Sequence, residues 1–231
     1  MASHLCVGET LEVFSDTYEV RAKLGDGGTA SVHTVVKHST GEQFACKLAF
    51  QRSPRKWQRI QRMFDHERAM LRRCAHAHVV QAWDLFRGPT QVALVMEHIG
   101  GGDIQQLLER HGALSEPAVC GIISQLSSAL EHIHSQGVLH RDVKLENLLM
   151  VRTAPPLVKL CDFGHAAMST EAADNFTGTE GYAAPEVVGR GGSTWTRAAD
   201  VWSMGAVMYA MLANTPLRWA NDGPDLSSRT L

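Results

Sequence analysis

The chain has 231 residues, 44% of them hydrophobic and 20% charged, which gives room for one large domain or two small lobes. Its 22 Lys and Arg against 24 Asp and Glu leave a formal net charge of −2, a balance that points to neither a nucleic-acid nor a membrane partner. Met1 to Glu9 lacks the basic and apolar regions of a signal peptide, and the longest apolar stretch, Val201 to Ala213, is about five residues short of a bilayer span.

In chain order, Tyr18 to Leu24 and Ser31 to Lys37 alternate and carry β-branched residues on either side of Gly25-Asp26-Gly27-Gly28. That pattern predicts a hairpin. Gln43 to Phe50 alternates again, and Val92 to Met96 is a short apolar strand. Between these two strands, Trp57, Ile60, Met63, Phe64, Met70, Leu71 and Cys74 recur at helical spacing, with Glu67 inside the stripe. A carboxylate facing inward requires a cationic partner, because an unpaired buried charge is too costly to keep. After Gly100-Gly101-Gly102 the pattern becomes helical. Ser115 is the expected N-cap of a helix whose face is Val119, Ile122, Ile123, Leu126, Leu130 and Ile133, and Gly137 stops it. Val201 to Ala213 is apolar on nearly every side and predicts a helix buried in the middle of a lobe. The cysteines, Cys6, Cys46, Cys74, Cys120 and Cys161, are odd in number and lack Cys-x-x-Cys spacing. They read as reduced thiols, which sets the expected location in the cytoplasm, with the nucleus left open.

The densest chemistry lies in His140-Arg141-Asp142-Val143-Lys144-Leu145-Glu146-Asn147, followed by Asp162-Phe163-Gly164 and then Ala184-Pro185-Glu186. Together with Gly25-Asp26-Gly27-Gly28-Thr29-Ala30 and the strand ending in Lys47, this ordered set resembles the eukaryotic protein kinase family, Ser/Thr type. Gly101-Gly102-Asp103 and Lys144 to Asn147 look most like its calcium/calmodulin-dependent and AMP-activated-like group. The resemblance implies an α+β, bilobal fold. Residues 1–17 would be an N-terminal extension, and 18–96 an N-lobe with a small antiparallel sheet and one helix. Residues 97–102 would be a hinge, and 103–231 a mainly helical C-lobe lacking its last helices.

It also implies roles for single residues. Asp142 would accept the proton of a substrate hydroxyl, with Lys144 beside the transferring phosphate. Asn147 and Asp162 would hold Mg²⁺. Lys47 would hold the ATP phosphates and pair with Glu67. Leu24, Gly25, Gly27 and Gly28 would cover the nucleotide, Val32, Ala45 and Leu149 would sandwich its adenine, and Met96 would stand behind it. Glu97, His98 and Ile99 would run along its edge. Ala30, where the family has a third glycine, is a departure from the pattern. Thr177 is the expected phosphosite for an upstream activating kinase, with Ser169 and Thr170 behind it and a charge from Glu171 or Asp174 as the alternative to phosphorylation, and Thr179 is the substrate-adjacent threonine.

Asp103 and Glu146 match positions used to read basic residues ahead of the phosphoacceptor, although Asp103 is equally suited to the ATP ribose. The partner is thus a protein substrate. The early end of the C-lobe implies that a further partner or missing sequence covers the 201–213 helix. It also keeps a second reading open, a nucleotide-binding pseudokinase or scaffold.

Overall fold

A computed structural model describes residues 10–13, 16–170, 178–188 and 195–215. They form two compact units that divide between Gly100 and Gly101. The first is built on one antiparallel sheet of six strands: β1 (Thr10–Val13), β2 (Asp16–Asp26), β3 (Ser31–Lys37), β4 (Gln43–Phe50), β5 (Ala82–Arg87) and β6 (Gln91–Glu97). Their spatial order is β1-β2-β3-β4-β6-β5. Between β4 and β5 runs the helix α1 (Pro54–Arg73), which packs against β5 and β6.

Alternation along the strands sorts the side chains into two sets. Tyr18, Val20, Val35, Cys46, Leu48, Ala93 and Val95 form one core cluster, with Phe44, Phe50 and Phe86 packed against it. Lys47 belongs to the other set, because β3 and β4 pair it with Val32 and β4 and β6 pair it with Leu94. Two residues along, Thr34, Ala45 and Met96 pair in the same way.

The first unit departs from expectation in three places. β1 lies in the stretch expected to be an extension, where Thr10 to Val13 pairs with Asp16 to Glu19. β5 has no sequence signal because it is an edge strand whose exposed Trp83 and Asp84 interrupt the alternation. Met63 is 40% exposed and lies off the buried stripe of α1, which is Trp57, Phe64, Glu67, Met70 and Leu71.

The second unit contains α2 (Ile104–His111), α3 (Glu116–Ser135), α4 (Pro185–Val188) and α5 (Arg197–Ala213). Two small antiparallel pairs lie between α3 and α4. One joins β7 (Val138–Leu139) to β10 (Ala167–Met168), and the other joins β8 (Leu148–Thr153) to β9 (Pro156–Leu160). α3 packs against β9 and α5. Ser115 precedes α3 but makes no side-chain cap, and Ile123 is only half-buried. Gly101 has a packing reason, since a Cβ there would lie 2.1 Å from the Met150 carbonyl oxygen.

α5 corrects the expectation of a helix buried on nearly every side. Its buried face is mostly small, with Ala199, Ser203, Ala206 and Ala210 beside Asp200, Val207 and Met211, which lets α3 approach closely. Val201, Trp202, Met208 and Leu212 lie between 37% and 49% exposed.

Candidate active site

In the first unit the inward carboxylate of α1 has the partner its burial demands. Lys47 Nζ donates to Glu67 Oε1 at 2.9 Å and to Oε2 at 2.8 Å. The Glu67 side chain is 4% exposed and that of Lys47 is 21% exposed. The pair holds an ammonium on the sheet face shared with Val32, Ala45 and Met96.

The hairpin between β2 and β3 is closed by the Gly27 amide donating to the Ala30 carbonyl at 2.7 Å. Leu24, exposed, sits at an irregularity in the pairing between Lys23 and Gly25. Glu97, the last residue of β6, and His98 and Ile99 after it are half-buried, and His98 lies 3.4 Å from the Thr34 hydroxyl.

The second unit gathers its groups around one carboxylate. Asp142, buried, accepts from Thr179 Oγ1 at 2.7 Å on Oδ1. On Oδ2 it meets Lys144 Nζ at 2.8 Å and Asn147 Nδ2 at 3.1 Å. Lys144 also donates to Thr179 Oγ1 at 2.9 Å, and Asn147 donates to the Asp142 carbonyl at 2.7 Å. The 3₁₀ turn Leu145–Asn147 places Lys144 and Asn147 on the Asp142 side, and the Lys144 carbonyl accepts from the Asn147 amide. Such a carboxylate is oriented and still has acceptor capacity for a further hydroxyl.

Asp142 is aimed by what holds the two residues before it. Asp200, at the start of α5 and 0% exposed, accepts from the His140 amide and the Arg141 amide, each at 2.9 Å. His134 Nε2 donates to the same carboxylate at 2.8 Å. Arg141 sits at φ 67, a left-handed conformation that a non-glycine residue adopts only under constraint. His140 is also fully occupied. Its Nδ1 accepts from the Asp142 amide at 3.3 Å, so its Nε2 carries the proton given to the Cys161 carbonyl at 3.0 Å. Its ring stacks edge-on to Phe163 at 4.8 Å.

The remaining expected residues fall in several places. Asp162 takes φ 58 and caps the 3₁₀ turn Phe163–His165, with Oδ1 accepting from the Gly164 amide at 3.4 Å. Asn147 and Asp162 offer oxygen ligands of the kind Mg²⁺ takes, since the Asn147 amide nitrogen is committed to Asp142 and its Oδ1 is the atom left for a metal. No group of three or more His, Cys, Asp or Glu converges among the described residues, so an ion held by these two would draw its other ligands from phosphate oxygens and water.

Asp103 has a task that the sequence reading missed. It is the N-cap of α2, accepting from the Gln106 amide at 2.8 Å, and it bridges to Leu149. Asp103 to Gln106 has the spacing of a capping box, which was the signal available. Glu146 is exposed. Its charge acts on buried Tyr182, whose phenol is pushed up to about 12 by burial first and by Glu146 second. Thr177 lies outside the described residues. Glu186 is exposed and makes no ion pair among them. His134 was also missed, as a polar residue ending an apolar helix face.

Comparison with known proteins gives a consistent set of likenesses. A family model described as the protein kinase domain matches residues 18–230. Calcium/calmodulin-dependent protein kinase type II of Caenorhabditis briggsae is 33% identical, over 90% of this chain and 39% of its own length. Serine/threonine-protein kinase cds1 of Schizosaccharomyces pombe is 34% identical, over 84% and 44%. Calcium/calmodulin-dependent protein kinase type 1B of Rattus norvegicus is 30% identical, over 98% and 65%. The chain thus spans less than two thirds of the length of each of these relatives.

The geometry around His140 generates a pH dependence. Burial lowers its pKa from the ordinary 6.5, outweighing the opposing pull of Asp200, the Cys161 carbonyl, Asp142 and Asp162. The folded chain therefore keeps this ring neutral, while the unfolded chain protonates it below about 6.5. Its contribution to stability is complete above that value and is lost as pH falls from there through the folded pKa. In urea unfolding, the stability gap between the parent chain and His140→Gln should narrow between pH 7.5 and 5.5, by up to about 1.4 kcal/mol per pH unit. A gap that widens on acidification would contradict this placement.

Proposed function

The chain belongs to the protein kinase domain family and resembles its calcium/calmodulin-dependent Ser/Thr members, and from that premise we propose that it transfers the γ-phosphoryl group of ATP to Ser and Thr hydroxyls of protein substrates. The observation that carries the reading is the convergence of Lys144, Asn147 and Thr179 on the carboxylate of Asp142. Three side chains orient this carboxylate, and the residues before it are held in turn through their own backbone amides.

Phosphoryl transfer asks the protein mainly to position groups and neutralise charge. Asp142 takes the proton of the acceptor hydroxyl, and its Oδ1 and Oδ2 are fixed for that task before substrate arrives. Lys144, held by Asp142 and Thr179, offers a cation to the transferring group. Lys47, oriented by both oxygens of Glu67, holds the nucleotide phosphates. Asn147 and Asp162 would hold Mg²⁺, which when bound neutralises phosphate charge. The flexible Gly25-Asp26-Gly27-Gly28 turn lets backbone amides approach phosphate closely.

Incubation of the purified chain with labelled ATP, Mg²⁺ and a generic basic protein tests the reading. Label should pass to Ser and Thr of the substrate, and Asp142→Asn should reduce the rate at least about a hundredfold. Lys47→Ala should raise the barrier by about 3–4 kcal/mol. Near-normal transfer by either variant would overturn the assigned roles. Nucleotide binding with no transfer by the parent chain would select the pseudokinase or scaffold reading.

The preferred substrates carry basic residues ahead of the acceptor. Glu146 supports this reading, being exposed next to the segment that holds Thr179 and Tyr182. Asp103 supports it less, since its side chain is engaged in capping α2. A peptide library should show Arg or Lys enriched upstream of the acceptor, and Glu146→Arg should weaken that enrichment by placing like charges together. An acidic or proline-directed profile, unchanged in Glu146→Arg, would discard the preference.

A further inference from the structure

The charges in the first half of α1 are arranged against the needs of the helix itself. From residue 52 to 62 the chain has five cations, Arg52, Arg55, Lys56, Arg59 and Arg62, and no acidic residue, although its overall charge is −2. All five are exposed. The first turn of α1 holds no acid, while Arg55 and Lys56 lie there, at the positive end of the helix dipole. Arg55 and Arg59 are four apart, and Arg59 and Arg62 three apart, so each meets a like charge on the helix surface. Departures from local rules of this kind are expected where a surface has a task beyond folding.

Among the described residues none of the five has an ion pair or a side-chain hydrogen bond, whereas Arg21, Lys23, Lys47, Arg87 and Lys144 all hold carboxylates. The two acids of α1 are already engaged, Glu67 inward on Lys47 and Asp65 on Arg87. At about 100° per residue, Arg55, Arg59 and Arg62 share a stripe roughly opposite the buried Trp57, Phe64 and Leu71. The stripe is about 10 Å long. Along its side runs an open groove of about 340 Å³ lined by Gln58, Gln61, Arg62, Asp65 and Arg87.

We propose that this half of α1 is a docking strip for an acidic peptide segment. Carboxylates of the segment bind the guanidinium forks of Arg55, Arg59 and Arg62, which suit bidentate pairing. Its backbone lies along Gln58 and Gln61, whose amides both donate and accept. A single-stranded nucleic acid fits less well, because it needs stacking platforms and the only aromatic between residues 52 and 62, Trp57, is buried on the opposite face of α1. A membrane fits less well too, because Met63 is the only large apolar side chain exposed on α1. The proposal shares no residue with the phosphoryl-transfer site and does not depend on catalysis.

Fluorescence anisotropy with the full chain and a labelled peptide of alternating Glu and Gly, about ten residues long, tests it. The peptide should bind saturably at low ionic strength and weaken as salt is raised. Arg55→Glu/Arg59→Glu/Arg62→Glu should weaken binding at least about tenfold, without lowering the melting temperature, since acids suit this end of the helix. The matching triple Lys variant, which keeps the charge but not the fork, should weaken binding by less than the Glu variant does. Absence of binding, or equal binding by the Glu variant, would overturn the proposal. So would tighter binding of an oligo-dT strand or of phosphatidylserine vesicles through the same three arginines.

Discussion

A single buried carboxylate governs the chemistry of the second unit. Asp200 accepts from two consecutive backbone amides, those of His140 and Arg141, and from the ring of His134. Two consecutive N–H groups point the same way only if the chain turns sharply, and the turn found here puts Arg141 at φ 67. That conformation is unfavourable for an arginine by about 1–3 kcal/mol. Charge-assisted bonds to a fully buried carboxylate are strong enough to offset it. The geometry around Asp142 therefore rests on α5, far along the sequence from the residue it aims.

From that anchor the order passes outward one bond at a time. His140 is held through its amide by Asp200, and its ring bridges the Asp142 amide and the Cys161 carbonyl. Cys161 in turn donates its amide to the Asn147 carbonyl at 2.9 Å, which ties the strand before Asp162 to the turn that carries Asn147. Asn147 then returns to Asp142. Gly178 closes the arrangement on the other side, at φ 114, where a Cβ would come within 2.9 Å of the Arg141 carbonyl oxygen. Ser203, one turn of α5 beyond Asp200, places its hydroxyl 2.9 Å from the Tyr182 carbonyl, so the same helix also steadies the segment bearing Thr179. The first unit repeats the logic on a smaller scale, with Glu67 fixing Lys47 across twenty residues of sequence.

What could be read from the sequence was what short-range pattern encodes. Glu67 inside an apolar stripe demanded a cation, and Lys47 supplies it. The spacing from Asp142 to Lys144 and Asn147 is local, and a 3₁₀ turn suffices to bring the three together. Roles that depend on distant pairing were harder to see. His134 looked like one more residue at the end of α3, since its partner Asp200 is 66 residues away. Asp103 was read for its charge while its position ahead of a helix was overlooked. The apolar run of α5 was read as a helix buried all round, because composition does not show that the small residues share one face and the large ones another. β5 has too little alternation to mark an edge strand, and it is specified by β6 instead.

The claim that Asp200 holds the turn that aims Asp142 is tested most directly by native-state hydrogen exchange on the parent chain and Asp200→Asn. An asparagine keeps the size but presents an NH₂ where one oxygen accepted, so at least one of the two amides loses its acceptor. At least one of the amides of His140 and Arg141 should lose at least about tenfold more protection than that of Leu126 in α3, which reports the general stability of the same unit. Equal loss at all three positions, or undiminished protection of His140 and Arg141, would show that the turn stands without the carboxylate and would contradict the account.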